Sequence, residues 1–122
     1  MAIKESAENY LETILVLSNR NGSVRSIDIA NEMNFTKASI SVAMKRLREE
    51  EYITVDGDGS IRLTPKGEAV AKSVYERHQV IAKLLMVLGV SEKTAYEDSC
   101  KIEHVLSRET FEKIKEYYKK HI

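Results

Sequence analysis

The chain has little cysteine, proline and tryptophan: one Cys, one Pro and no Trp occur in 122 residues. A single cysteine excludes an internal disulfide and favours a reducing, cytoplasmic location. No apolar run approaches the roughly 18 residues that a membrane span needs, and the N-terminus lacks the pattern of a secretory signal, so we expect no membrane partner. The net charge is zero, with 19 basic and 19 acidic residues, which argues against binding nucleic acid by bulk charge.

The N-terminal part of the chain contains a succession of short helical patterns. Apolar residues at helical spacing predict a helix over 5–19, which Asn21-Gly22 ends. Ser26 is expected to cap a helix over 27–32 with Ile27 packed inward, and Thr36 to cap a helix over 37–50. Two short helices joined by a tight turn, the second of them basic, indicate a helix-turn-helix.

A predicted β-hairpin follows directly behind the basic helix. Residues 52–55 and 60–63 are β-branched and apolar or alternate in polarity, and Asp56-Gly57-Asp58-Gly59 between them is a turn cluster. A hairpin in this position is typical of the wing of a winged helix-turn-helix. A generic helical domain with a solvated basic helix would leave the hairpin unexplained.

If this module binds DNA, the N-terminal part of the second helix faces the bases. The residues expected at base edges are Ala38, Ser39 and Val42. The residues expected at phosphates are Thr36, Lys37, Ser41, Lys45 and Arg46, supported by Arg25 and by Arg62 of the wing. None of these is an Arg or Asn placed for a bidentate base contact, so we expect modest base readout and dependence on DNA shape.

The C-terminal half is predicted to contain three helices. Thr64-Pro65 begins a long helix that runs to Leu88 and stops at Gly89. Ser91 is expected to cap a helix over 92–106, and Ser107 a helix over 108–120 with Phe111, Ile114, Tyr117 and Tyr118 inward. The sequence thus predicts a mainly α fold with a winged helix-turn-helix domain at 1–64 and a helical domain at 65–122.

Cys100, Glu103 and His104 have the spacing of side chains that share one face of a helix. A thiol, a carboxylate and an imidazole together are typical of a transition-metal site. Three ligands within five residues do not complete a coordination sphere, so partners from elsewhere are required. A buried, inert cysteine, a Cys–His nucleophile and a thiol that senses oxidation remain alternatives at this point.

The whole pattern resembles the diphtheria-toxin-repressor and manganese-transport-regulator family of metal-activated transcriptional repressors. The resemblance extends from Glu8-Asn9-Tyr10-Leu11-Glu12-Thr13-Ile14 through Leu63-Thr64-Pro65-Lys66-Gly67 to Cys100-Lys101-Ile102-Glu103-His104-Val105-Leu106-Ser107. It implies that the metal positions of the family fall on Asn9, Glu12, His78, Cys100, Glu103 and His104.

Some positions depart from both branches of that family. Asn9 replaces the aspartate of the manganese branch and the methionine of the iron branch, whereas Glu12 matches the manganese branch and Cys100 the iron branch. Ala82 and Tyr96 stand where the iron branch has a glutamate and a histidine, so we expect its ancillary metal site to be absent. We also expect no SH3-like third domain.

The resemblance implies a function as well as a fold. It implies a homodimeric repressor, not an enzyme, that binds operator DNA when Fe(II) or Mn(II) is bound and controls metal-uptake genes. Zn(II), Co(II) or Ni(II) could occupy the site in vitro, and no small-molecule substrate is expected. The alternative hypothesis is a winged-helix regulator that senses a small ligand or thiol oxidation without metal.

Overall fold

The computed structural model describes residues 5–121, which form six α-helices and one two-stranded antiparallel sheet. The packing of Cα atoms divides the chain after Ser73 into an N-terminal and a C-terminal unit. No helix in the described range is both long and apolar enough to cross a membrane. The elements in chain order are α1 (Glu5–Asn21), α2 (Ser26–Met33), α3 (Lys37–Glu49), β1 (Ile53–Val55), β2 (Ile61–Leu63), α4 (Pro65–Val87), α5 (Glu92–Ile102) and α6 (Arg108–His121).

The predicted helix-turn-helix is confirmed in α2 and α3. Asn34 ends α2 in the left-handed conformation with φ 58°, which Asn adopts more readily than most residues, and its N–H donates to the Ala30 carbonyl. Thr36 caps α3, because its Oγ1 accepts a hydrogen bond from the Ser39 N–H at 3.1 Å. The turn between the two helices is therefore short and closed by hydrogen bonds at both ends.

The predicted hairpin is confirmed in β1 and β2. Thr54 is opposite Arg62 and Val55 is opposite Ile61 in an antiparallel register. The hairpin is also joined to the segment before α2, because the Ile61 N–H donates to the Val24 carbonyl at 2.7 Å. The wing is thus held to the helix-turn-helix by its backbone.

One hydrophobic core lies inside the N-terminal unit. It receives side chains from α1, α2, α3, both strands and the start of α4: Leu11, Ile14, Leu17, Val24, Ile29, Ala30, Ile40, Met44, Leu47, Ile53, Ile61 and Ala71. Ile40, Met44 and Leu47 form the buried apolar face of α3. Their burial points the opposite face of α3 toward solvent.

The C-terminal unit consists of the second part of α4 with α5 and α6. Gly89 follows α4 with φ 104°, a conformation that favours glycine. Ser91 is the N-cap residue of α5, and Ser107 Oγ accepts from the Thr110 N–H at 3.1 Å at the start of α6. The buried apolar side chains of this unit are Val74, Ile81, Ala82, Ala95 and Phe111.

Several local predictions were wrong. Arg25, not Ser26, is the N-cap of α2, because the Asp28 carboxylate accepts from the Arg25 N–H at 2.9 Å and so fixes the helix start one residue earlier. Ile27 is 39% exposed and Tyr117 is 56% exposed, so neither packs inward as expected. The helix predicted over 92–106 ends at Ile102.

Candidate metal centre and DNA-binding surface

The candidate metal ligands near the end of α5 lie on its last turn and on the tight turn that follows. Glu103 is the C-cap residue, and its N–H still donates to the Ser99 carbonyl at 3.0 Å. The N–H groups of Val105 and Leu106 then both donate to the Ile102 carbonyl, which tightens the chain after the helix. The backbone therefore stays helical through Glu103 even though the regular helix has ended.

This backbone brings Cys100, Glu103 and His104 together. One ligand atom of each, the Cys Sγ, a carboxylate oxygen and an imidazole nitrogen, lies within 4.8 Å of the others. His104 Nε2 is 3.4 Å from Glu103 Oε1, and both side chains are buried. The shared face predicted from the spacing is thus present although the helix is shorter than predicted.

His78 lies beside the same carboxylate in the C-terminal unit. Its Nδ1 is 4.0 Å from Glu103 Oε2, so the two oxygens of Glu103 are directed at two different histidines. The other ring nitrogen, Nε2, is 3.1 Å from the Tyr96 carbonyl oxygen. Glu103 is only 1% exposed, which makes it the central carboxylate of the group.

Arg77, adjacent to His78 in α4, supports the turn that carries the ligands. Its Nη1 donates to the Glu103 carbonyl at 3.0 Å, and its guanidinium lies 5.1 Å from the ring centre of Phe111 in α6. The spacing of the ligands in the sequence gave no indication of this contact. The only sequence feature that points to it is that Arg77 directly precedes His78.

The donor set fits a divalent first-row metal. Two ligand atoms at about 2.1 Å on opposite sides of one ion are about 4.2 Å apart. The ligand atoms of Cys100, Glu103 and His104 lie within 4.8 Å of one another, so only small side-chain movements would bring them to that separation. A thiolate and imidazoles favour softer ions, and carboxylate favours Mn(II) and Fe(II). The side chains of the C-terminal unit therefore provide a thiolate, a carboxylate and two imidazoles.

The other two predicted ligands are on α1 in the N-terminal unit. Glu12 is buried and Asn9 is half-buried, and the backbone carbonyl of Asn9 accepts a hydrogen bond from Thr13 Oγ1 at 2.8 Å.

Ala82 and Tyr96, at the expected ancillary positions, lie in the C-terminal unit. Ala82 is fully buried and offers no ligand atom, and the Tyr96 hydroxyl donates to Gln79 Oε1 at 3.1 Å. Both residues at the expected ancillary positions thus have packing or hydrogen-bonding roles.

The candidate DNA-binding surface is formed by the exposed face of α3, the start of α2 and the wing. The Val42 side chain on α3 is 71% exposed. Every predicted contact residue is exposed, as binding to DNA requires: Arg25, Thr36, Lys37, Ala38, Ser39, Ser41, Val42, Lys45, Arg46 and Arg62.

Two acidic residues of the wing, missed in the sequence, pair with its neighbouring cations. Arg62 Nε donates to Asp56 Oδ2 at 2.9 Å, and this hydrogen bond raises the pKa of the Arg62 guanidinium. Arg25 Nη2 is 3.9 Å from Asp58 Oδ2. The pKa of Asp58 is lowered, chiefly because its carboxylate accepts a hydrogen bond from the Ser60 N–H.

Comparison with known families identifies both halves of the chain. Residues 2–61 match the N-terminal DNA-binding domain of iron-dependent repressors, and residues 64–121 match their metal-binding and dimerisation domain. The chain belongs to the iron-dependent repressor family. It is therefore a metal-dependent transcriptional regulator of a family that consists of regulators and not of enzymes.

Two curated relatives and one solved structure illustrate membership of the iron-dependent repressor family. An HTH-type transcriptional regulator of Methanocaldococcus jannaschii is 34% identical over 97% of this chain and 96% of its own length. The HTH-type transcriptional regulator MntR of Geobacillus kaustophilus is 32% identical over 89% of this chain and 77% of its own length. The manganese regulator SloR aligns with a TM-score of 0.80 and 28% identity over 96% of this chain, which spans 54% of the SloR chain.

Proposed function

We propose that this protein is a metal-activated repressor that binds operator DNA as a homodimer when Fe(II) or Mn(II) is bound. The observation that carries the proposal is the group of half-buried Cys100, buried Glu103 and half-buried His104, whose ligand atoms lie within 4.8 Å in a family of metal-dependent regulators. We assign residues 1–64 to DNA binding and residues 65–122 to dimerisation and metal binding. The location is cytoplasmic, and the genes under control encode metal uptake.

We assign the metal ligands as Cys100, Glu103, His104 and His78 of the C-terminal unit, with Asn9 and Glu12 of α1. A cation held by these residues would supply positive charge that compensates the thiolate and the carboxylates. An ion held by these residues would favour the DNA-binding form of the protein. Coupling of this kind is typically about 1–3 kcal/mol, or about 5- to 150-fold in affinity.

The preference for Fe(II) or Mn(II) is supported by the family and by the manganese regulator SloR. Affinity alone would favour Zn(II) for this donor set, because first-row affinities rise from Mn(II) toward the end of the series. Zn(II), Co(II) and Ni(II) are therefore expected to bind in vitro. Selection in the cell then depends on metal availability and on the weak amide ligand offered by Asn9.

The assembly is proposed to form through the C-terminal unit. Leu88 and Val87, at the end of α4, are 73% and 60% exposed, which is unusual for two large adjacent apolar residues. An open groove beside them is lined by Leu84, Ile114 and Tyr117. The occupant that we propose is a second copy of this chain, since the matched family domain is a dimerisation domain and helix-turn-helix proteins read two half-sites as two-fold dimers.

The test begins with DNA selected from a random duplex pool by the Mn(II)-loaded protein. Binding of the selected DNA, measured by fluorescence anisotropy, is expected to weaken about 5- to 150-fold when a chelator removes the metal. The double variant Glu103→Ala with His104→Ala should lose this response because it lacks the buried carboxylate and one imidazole. A regulator of small ligands or of thiol oxidation would bind equally well with and without chelator.

The matched control is Glu97→Ala with His121→Ala, which removes the same side-chain types from exposed positions of α5 and α6. This control should retain the metal response of the unsubstituted protein. Circular dichroism and sedimentation check that the Glu103/His104 variant remains a folded dimer. If that folded variant still binds DNA in a metal-dependent way, the ligand assignment is wrong.

A further inference from the structure

His78 has its two ring nitrogens in different surroundings. Nε2 is 3.1 Å from the carbonyl oxygen of Tyr96 in α5, within hydrogen-bonding distance. Nδ1 is 4.0 Å from the Glu103 carboxylate, beyond the range of a direct hydrogen bond. The two faces of one imidazole are thus distinguished by their neighbours.

The chemistry of the carbonyl decides which nitrogen carries the proton. A carbonyl oxygen only accepts hydrogen bonds, so His78 Nε2 must be the protonated donor. In a neutral imidazole the other nitrogen then bears the lone pair, and only a nitrogen with a lone pair can bind a metal. The contact with Tyr96 therefore directs the lone pair of Nδ1 toward the side on which Glu103 lies.

Three further contacts hold Tyr96 in place against His78. The Tyr96 ring is edge-to-face with the imidazole, with 5.6 Å between ring centres and an interplanar angle of 66°. The Tyr96 hydroxyl donates to Oε1 of Gln79, the residue after His78 in α4, at 3.1 Å. Ser99 Oγ donates to the same Tyr96 carbonyl at 3.1 Å. The carbonyl and the ring of Tyr96 thus contact the histidine directly, and its hydroxyl joins Tyr96 to the next residue of α4.

We propose that Tyr96 and Gln79 are positioning residues that hold His78 in the Nε2–H tautomer and present Nδ1 as the metal-ligating atom beside Glu103. The role of Nδ1 as a ligand rests on the proposed function, whereas the tautomer does not. Neither residue contacts the metal itself. Groups that orient ligand histidines in this way typically change metal affinity about 10- to 100-fold when removed.

The tautomer is measured on the metal-free protein by nitrogen–proton correlation NMR with labelled histidine, at a pH where the spectrum itself shows a neutral His78 ring. His78 is expected to show a protonated Nε2 and an unprotonated Nδ1. Tyr96→Ala keeps the carbonyl but loses the ring contact and the hydroxyl that hold it against His78, so both tautomers should be populated. In Tyr96→Phe, which keeps the ring and the carbonyl, the Nε2–H tautomer should persist.

Metal affinity is measured by calorimetric titration of the metal-free full chain with Mn(II). Tyr96→Phe and Gln79→Ala should each weaken binding about tenfold, and their combination should be no weaker than either alone, because both remove the same hydrogen bond. Tyr96→Ala should weaken binding up to about 100-fold. The control Tyr75→Phe, at an exposed tyrosine of α4, should bind as the unsubstituted chain does.

Three results would overturn the proposal: an Nδ1–H tautomer in the unsubstituted chain, a single unchanged tautomer in Tyr96→Ala, or equal Mn(II) affinity of Tyr96→Phe and Tyr75→Phe. Tyr96→Phe keeps the experiment informative if Tyr96→Ala does not fold. A chain that shows the Nε2–H tautomer but binds no Mn(II) would contradict the proposed function and the ligand role of Nδ1 together, while the tautomer assignment would stand.

Discussion

Arg77 is the residue through which three helices of the C-terminal unit are connected. It belongs to α4, donates to the carbonyl of Glu103 after α5, and stacks its guanidinium on Phe111 of α6. A hydrogen bond from a charged donor is worth about 1.5–3 kcal/mol, and the stacking adds about 0.5–1 kcal/mol at a partly exposed site. The turn that presents Glu103 and His104 is therefore fixed from outside by this one side chain.

Arg77→Lys is expected to lower the free energy of unfolding of the metal-free protein by about 1–3 kcal/mol, because an ammonium does not reproduce the planar fork or the stacking. Thermal unfolding followed by circular dichroism measures the loss. Arg108→Lys, at an exposed arginine of α6, is the control and should change stability by less than about 0.5 kcal/mol. Equal stability of the two variants would show that the Arg77 contacts contribute nothing.

At the scale of single residues, the spacing in the sequence predicted which side chains share a face, but it did not predict their hydrogen bonds. The positions of Cys100, Glu103 and His104 repeat at helical intervals, so their shared face could be predicted, whereas their role as metal ligands stays a proposal. The contacts of Arg77 and Tyr96 could not be predicted. Each uses a backbone carbonyl from another part of the chain, and the position of a carbonyl depends on how the helices pack.

The junction between the wing and α4 leaves no space for a side chain at Gly67. Gly67 is buried in the first turn of α4, and a Cβ added to it would overlap the backbone carbonyl of Tyr52. That carbonyl already accepts from the Thr64 N–H at 3.1 Å, and Thr64 Oγ1 in turn accepts from the Gly67 N–H at 3.1 Å. The backbone at Tyr52, just before β1, therefore approaches helix α4 as closely as glycine allows.

Gly67→Ala should destabilise the chain by about 1–3 kcal/mol, because the methyl group forces the backbone at Tyr52 to move. Urea unfolding measures the free energy of unfolding. Gly57→Ala is the matched control, since a Cβ at this turn position meets nothing within 4 Å, and its effect should stay within about 0.5 kcal/mol. A Gly67→Ala chain as stable as Gly57→Ala would contradict the close approach.

Capping patterns predicted where most helices begin. They failed where the side chain of a second residue fixed the start of the helix. Thr36, Thr64 and Ser107 each accept from the N–H three residues later, as their positions before apolar patterns indicate. Ser26 failed as a cap because Asp28 fixes the start of α2 on Arg25. The end of α5 was predicted four residues too late because neither glycine nor proline marks it in the sequence.

The molecule as a whole divides into two compact units after Ser73, and residues 2–61 and 64–121 match the two domains of the iron-dependent repressor family. The winged helix-turn-helix could be predicted from local patterns, because each of its elements carries its own turn and cap residues. The face proposed for association of two copies also depends on which apolar residues of the helical patterns the fold leaves exposed, and Leu88 and Val87 are among them.

Leu88→Glu should convert the proposed dimer to a monomer, because it places a charge in an apolar interface, and operator binding should fall with it. Analytical ultracentrifugation measures the assembly, and fluorescence anisotropy measures DNA binding. Val42→Glu on α3 provides the opposite pattern, since it should remain dimeric while losing DNA binding to repulsion from phosphate. A dimeric Leu88→Glu chain would place the interface elsewhere on the molecule.

The ion pairs of the wing have a consequence for the thermodynamics of the complex with DNA. Arg62 and Arg25 lie next to carboxylates of the same chain. Before DNA binds, fewer anions from solution therefore accompany these two cations than would accompany isolated ones. Contact with phosphate exchanges one anionic partner for another and releases counterions from the DNA, while Asp56 and Asp58 acquire counterions of their own. The number of phosphate contacts deduced from the salt dependence of binding would then be smaller than the number that the basic surface makes.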